Sequence, residues 1–134
     1  MSGDNQCYCQ NCKDLRDAKV TKKIFCTPPY LIINIDYGKN NKYKPLKVDY
    51  GELIDLTNFT DEKCKERLYE LKAVISLIKE SGNKSKYITY CKDNLNLWHV
   101  FNDSLLSDCE FKDVTNNSPQ LLIYKKEKYE NLFN

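Results

Sequence analysis

Flexible and membrane-forming sequence is scarce in this chain. Of 134 residues only four are glycine, and the single histidine, His99, is the only imidazole on offer for acid–base chemistry. No low-complexity block or internal repeat interrupts it. No apolar run approaches the ~20 residues that a membrane-spanning helix needs, so membrane contact is not expected. The opening residues Met1 to Gln6 lack the basic-then-apolar order of a secretory signal. An intracellular chain, cytoplasmic or nuclear, is therefore expected. Charge of one sign is also missing, because 21 basic and 19 acidic residues leave a net +2. That mixture gives no field for nucleic acid or an anionic surface, and the basic runs at Lys19 to Lys23 and Lys125-Lys126 read as solvated faces. Seven cysteines is an odd number, which excludes a complete disulfide framework and leaves reduced thiols as the expectation.

What is present describes one domain with a single core: 41% hydrophobic residues against 30% charged. Ten tyrosines and short apolar stretches bounded by Asn, Asp, Lys and Gly predict a mainly β fold. Pro28-Pro29 blocks a helix and starts a strand. Period two then puts Leu31, Ile33, Ile35 and Tyr37 on one face, opposite Ile32, Asn34 and Asp36. Further strands are predicted at Lys19 to Cys26, Tyr43 to Tyr50, Leu53 to Leu56, Tyr87 to Lys92, Asn96 to Phe101 and Gln120 to Lys125. Turn chemistry lies at Gly38 to Asn41, Glu80 to Lys84, Asp93-Asn94 and Thr115 to Pro119. The tail from Lys126 to Asn134 is expected to fray or form a short helix. Between Glu62 and Glu80 the pattern is ambiguous: Leu71, Val74, Ile75 and Ile78 match a helix, while Tyr69, Leu71, Ala73, Ile75 and Leu77 match a strand.

A discontinuous set of blocks runs the length of the chain. They are Tyr8-Cys9-Gln10-Asn11-Cys12, Pro29 to Ile35, Tyr69 to Ile75, Lys86 to Tyr90, Trp98 to Ser104 and Leu121 to Tyr124. In order and spacing they resemble the C-terminal half of the ubiquitin-specific protease catalytic domain, the ubiquitin carboxyl-terminal hydrolases. The resemblance implies an α+β, mainly antiparallel β fold of papain-like type, with a palm-like sheet, a truncated finger and no thumb. It makes residues 1–134 one domain, with a finger stub at 7–26, palm strands at 27–125 and a tail at 126–134. It also makes Tyr69 to Ile78 a central strand.

Cys9 and Cys12, at CxxC spacing, are similar to the second half of the family's zinc ribbon. A tetrahedral zinc wants four soft ligands and one CxxC knuckle supplies two. Cys7 is the candidate third, so the expectation is no bound cofactor, with zinc as the alternative at Cys7, Cys9 and Cys12. Cys26, Cys64, Cys91 and Cys109 are scattered singly and read as small apolar residues.

The catalytic positions depart from the family. Its nucleophilic cysteine comes from an N-terminal box, and nothing in this sequence resembles that box. Where the family has Gly-His-Tyr, this chain has Ser85-Lys86-Tyr87. Lys86 thus replaces the histidine, and a lysine with a reference pKa of ~10.4 is a cation that cannot take a thiol proton. Asn102 aligns with the third triad position and, with no imidazole to orient, is vestigial or a structural hydrogen-bonding residue. His99 does not align with the base and reads as structural. Tyr87, Gly82, Asn83, Ser85 and Asp103 align with the wall and loop around the ubiquitin tail, although Tyr87 and Tyr90 lie on opposite strand faces and one of them is expected in the core.

The reading that follows is a domain of the ubiquitin pathway, inactive alone, that binds ubiquitin, a ubiquitin-like protein, a partner chain or a second copy of itself. Two alternatives stand beside it: a fragment of a longer deubiquitinating cysteine protease, and a small cysteine-cluster metal module.

Overall fold

The computed structural model describes residues 6–38, 48–79 and 84–127. Among these the chain forms β1 (Cys7–Cys9), β2 (Asp14–Arg16), β3 (Tyr30–Asn34), β4 (Leu53–Asp55), β5 (Leu68–Lys79), β6 (Ser85–Lys92), β7 (Trp98–Asn102), β8 (Leu105–Cys109), a helix α1 (Phe111–Thr115) and β9 (Ser118–Lys126). Strands β1 and β2 make a separate small ribbon. The others form one antiparallel sheet in the order β3-β9-β5-β6-β7-β8, with β4 beside the first residues of β5. Helical structure is confined, among the described residues, to α1 and a 3-10 turn at Thr57–Phe59. The expected mainly antiparallel fold is what forms.

The long segment that fitted two templates is the strand β5, the centre of the sheet. Its alternation is not the expected one. A bulge between Leu71 and Ala73 inserts a residue, and beyond it the faces exchange. Tyr69, Leu71, Val74 and Ser76 are buried, whereas Ala73, Ile75 and Leu77 turn to the other side. β3 follows the expected period, with Leu31, Ile33, Ile35 and Tyr37 half-buried and Ile32, Asn34 and Asp36 exposed.

Three local expectations need correcting. Lys19 to Cys26 is not a strand: its one pairing is a parallel bridge from Ile24 to Thr60, because a lysine-rich, largely exposed run has no apolar face to bury. The predicted strand at Tyr43 to Tyr50 lies mostly outside the described residues, and 48–50 are irregular. The turn expected at Thr115 to Pro119 is narrower than that: α1 runs to Thr115, Asn116 and Asn117 make the turn, and β9 starts at Ser118. Pro119 pairs with Ser76 of β5 at a register shift in the ladder, and irregular points of this kind are where a strand tolerates proline.

The core lies on one face of the sheet. Tyr69, Leu71, Val74, Ile88, Tyr90, Trp98, Leu122 and Tyr124 pack there under Leu56 and Val114, and Phe111 of α1 meets the Trp98 ring at 5.9 Å. Each such side chain, fully buried, contributes about 1.5–3 kcal/mol. The tyrosines also tether loops, because a buried hydroxyl must find a partner. Tyr124 donates to Gly51 O at 2.9 Å, Tyr50 to Val114 O at 3.1 Å and Tyr37 to Pro119 O at 2.6 Å. Burial pushes the Tyr50 and Tyr124 phenols up to about 12.

The opposite face is differently finished. Register places Ile32, Ile123, Ala73 and Cys91 in one row, and Leu121, Ile75, Thr89, Phe101 and Leu106 in the next. Ile32 is 63% exposed, and Phe101 and Leu106 are exposed as well. An apolar sheet face left in water is an unfinished surface.

Candidate functional site

The expected site residues gather where β6 begins and β7 ends. β6 and β7 pair from Lys92 opposite Trp98 to Thr89 opposite Phe101, so the start of β6 lies beside the turn after Asn102. Asp103 makes that turn possible by taking a left-handed backbone, φ 55°, which short polar side chains tolerate best after glycine. Lys86 Nζ then stands 3.9 Å from Asp103 Oδ2, with the two side chains 28% and 82% exposed. So open an ion pair is weak and exchangeable. Next to it, Asn102 Oδ1 is buried and meets no donor among the described residues. Such an orphaned acceptor is uncommon and calls for a reason.

Tyr87 is 61% exposed while Tyr90 is buried, which settles the pair: Tyr90 belongs to the core and Tyr87 to the surface beside Lys86. Ser85 opens β6 and is exposed. Gly82 and Asn83 lie outside the described residues. Lys86, Tyr87, Ser85, Asn102 and Asp103 therefore share one end of the sheet. Chemically the cluster offers a cation, a carboxylate, an amide and a phenol, and a lysine ammonium donates protons where a base would accept them.

His99 is not part of this cluster. It lies three residues before Asn102 on β7, about 10 Å along the strand. Asp93 Oδ2 holds its Nε2 at 3.1 Å and Asp108 Oδ1 its Nδ1 at 2.9 Å. The Asp93 hydrogen bond raises the imidazole pKa, desolvation opposes it, and Asp108 adds to the rise. With both nitrogens engaged the ring is a clamp between the β6–β7 turn and β8.

One charged network escaped sequence reasoning. Lys92 donates to Glu52 at 2.6 Å and to Glu70 at 2.8 Å, and its ammonium lies 6.0 Å from the Trp98 ring centroid. Lys72 also donates to Glu70. Burial alone would lift the Glu70 carboxyl, but the two lysine hydrogen bonds hold it below its ordinary value. Burial likewise disfavours the Lys92 cation, and Glu52 and Glu70 restore it and push its pKa up. The partners come from three separate segments, so spacing carried no signal.

At the ribbon, Cys9 ends β1 and Cys12 lies in the turn that leads to β2. The Lys13 N–H donates to Cys9 O at 2.8 Å to close it. The Cys12 amide, then the Cys12 thiol and the Asn11 amide, hold the Cys9 thiol below its usual pKa. Cys7 is exposed on β1. Among the described residues no group of three or more His, Cys, Asp or Glu is placed to hold a metal ion.

Comparison with known proteins gives this geometry a context. The model of the family described as ubiquitin carboxyl-terminal hydrolase matches residues 2–124. A probable ubiquitin carboxyl-terminal hydrolase 16 of Schizosaccharomyces pombe is 26% identical over 131 residues, 95% of this chain and 29% of that protein. The ubiquitin carboxyl-terminal hydrolase 17-like protein B of Mus musculus is 25% identical over 130 residues, 95% of this chain and 28% of that protein. This chain thus spans less than a third of the length of these relatives. Among solved structures, a SAGA DUB module of Ubp8, Sgf11, Sus1 and Sgf73 bound to ubiquitin aldehyde superposes with a TM-score of 0.71 at 24% identity, over 95% of this chain and 30% of that one. A variant of that module bound to monoubiquitin gives 0.73 at 23% identity, over 93% and 29%. At such identity these two likenesses speak for the fold.

Proposed function

This chain belongs to the ubiquitin carboxyl-terminal hydrolase family, and from that premise we propose that by itself it is a binding module of the ubiquitin pathway and not a hydrolase. The observation that carries the reading is the Lys86–Asp103 ion pair at the end of the sheet. Where the family's chemistry calls for a base to take a thiol proton, this chain offers a cation already engaged with a carboxylate. Asn102, whose role would be to orient an imidazole, has a buried oxygen with no donor among the described residues. Recognition asks for less than catalysis. Exposed Tyr87 beside Ser85 and Asp103 is a surface that can hold an extended peptide tail, and Gly82 and Asn83 precede it in sequence.

The ligand proposed is ubiquitin or a ubiquitin-like protein, met in the cytoplasm or nucleus, where exposed thiols stay reduced. Two neighbouring structures are of a SAGA DUB module bound to monoubiquitin and to ubiquitin aldehyde. A second reading, that the chain is one piece of a longer deubiquitinating protease, is favoured by the apolar sheet face carrying Ile32, Ile75, Phe101 and Leu106. A further segment, a partner chain or a second copy would bury it. In that reading too, Lys86 stands where the base would be.

The test is a titration of isotope-labelled chain with unlabelled ubiquitin followed by NMR. Amide signals of Ser85, Tyr87, Asn102 and Asp103 are expected to shift together and saturably, and Tyr87→Ala should weaken the effect several-fold. A spectrum unmoved by millimolar ubiquitin would overturn the binding role.

A further inference from the structure

The open face of the sheet carries a charge pattern as well as an apolar one. Its two middle rows, from Ile32 to Cys91 and from Leu121 to Leu106, hold no charged residue until His99 and Asp108 on the β7–β8 side. Asp108, its side chain 92% exposed, and Asp93 make that corner acidic. On the other side of the same face stands Lys125 of β9, exposed and opposite Tyr30 of β3. Period two turns it away from the buried Tyr124. Among the described residues no ion pair engages Lys125.

We propose that this face pairs with the same face of a second copy, about a two-fold axis that runs along the strands between β5 and β6. Two identical faces meet isologously, and for two sheets the axis between them runs either along the strands or across them. Along the strands, β9 lies over β7 of the second copy, β3 over β8 and β5 over β6. Lys125 then stands over the acidic corner of the second copy, and symmetry makes that contact twice. Leu121 falls over Phe101 and Ile75 over Thr89, so the apolar rows meet. Across the strands, Asp108 would press on Leu106 and Lys125 on the far end of β9. Charge therefore selects the first arrangement, because an unpaired charge against an apolar surface is costly.

The area is sufficient. Tyr30, Ile32, Tyr87, Phe101 and Leu106 are 43–63% exposed. At roughly 100 Å² each they offer about 500 Å² per copy and about 1,000 Å² in all, where specific interfaces begin. Two twisted sheets packed in this aligned way lie about 10 Å apart, a gap that such side chains fill. The pairing goes beyond ubiquitin recognition, and its test contains no ubiquitin at first.

The full chain and its variants are followed by sedimentation equilibrium over rising concentration. The unaltered chain is expected in a monomer–dimer equilibrium that added salt weakens. Lys125→Glu sets a carboxylate against the acidic corner, and Asp108→Lys sets an ammonium against Lys125. Each variant alone is expected to dimerise about tenfold more weakly. Mixed one to one, the two regain opposite charges at both contacts, and the mixed dimer should form as readily as the original. Asp108→Lys also removes one partner of His99. Lys125→Glu removes none, so its weaker dimer is a separate test should the other variant not fold. The proposal is overturned by a chain that stays monomeric at every concentration, by Lys125→Glu dimerising like the unaltered chain, by a mixture of folded variants no tighter than either, or by assembly past the dimer. A monomeric chain whose Ile32 and Phe101 amides shift when ubiquitin is then added would also overturn it and give the face to ubiquitin.

Discussion

His99 is the only histidine in the chain, which makes its protonation directly readable. Hydrogen bonds donated to Asp93, and then to Asp108, raise its folded pKa above the ordinary value. The stability it contributes is therefore full below about pH 6.5, the unfolded value, and is lost as pH rises through the folded one. An NMR titration of its ring protons should give a midpoint above 6.5, and His99→Gln should flatten stability across that window. A midpoint at or below the unperturbed value would show that the two carboxylates do not hold it. Tyr124→Phe should cost about 1 kcal/mol by chemical denaturation, since it leaves the Gly51 carbonyl without its donor. At this scale the site was half legible. The triplet Ser85-Lys86-Tyr87 and the pair Asn102-Asp103 were visible because they are contiguous. The Asp93–His99–Asp108 clamp was not, because it depends on the register of β8, a strand that no pattern in the sequence marked.

Elements divide by which face of the sheet they serve. Leu122 of β9 is buried on the core side, and Leu122→Ala should cost about 2–5 kcal/mol. Ile32 of the neighbouring β3 points the other way and is exposed, so Ile32→Ala should change stability by less than about 0.5 kcal/mol. Equal losses in thermal or denaturant unfolding would refute the one-sided core. Lys92→Met leaves Glu52 without its ammonium and Glu70 with Lys72 alone, and a cost of about 1.5–3 kcal/mol is expected for removing a charged donor from this part-buried network. The same network contributes stability above the ordinary glutamate pKa, because the folded Glu70 value is depressed; that part disappears as pH falls through it. Strand existence was legible wherever apolar and polar residues alternate or a proline pair sets the start, as in β3, β6, β7 and β9. The face of β5 was not, because one inserted residue between Leu71 and Ala73 exchanges its two sides. α1, which no pattern in the sequence marked, is held by the reciprocal Glu110 and Asp113 caps and by Val114 in the core.

The whole molecule is a sheet with one face built into a core and the other apolar yet open. Leaving a few hundred Å² of such surface in water costs several kcal/mol at about 25 cal/mol per Å², which is the physical reason to expect an occupant. Sedimentation velocity should show self-association that grows with concentration and that Phe101→Lys and Ile32→Lys reduce. A strictly monomeric chain at every concentration would leave the face to a different partner. The proposed reading of the chain as a binding module predicts that it does not hydrolyse ubiquitin conjugates, and hydrolysis tests that directly. Incubated with ubiquitin carrying a fluorogenic leaving group at its C-terminus, this chain is expected to release no fluorophore above the uncatalysed rate at any pH between 6 and 9, the range over which an activated thiol would work. Turnover that vanishes when one of the seven cysteines is changed to serine would contradict the account.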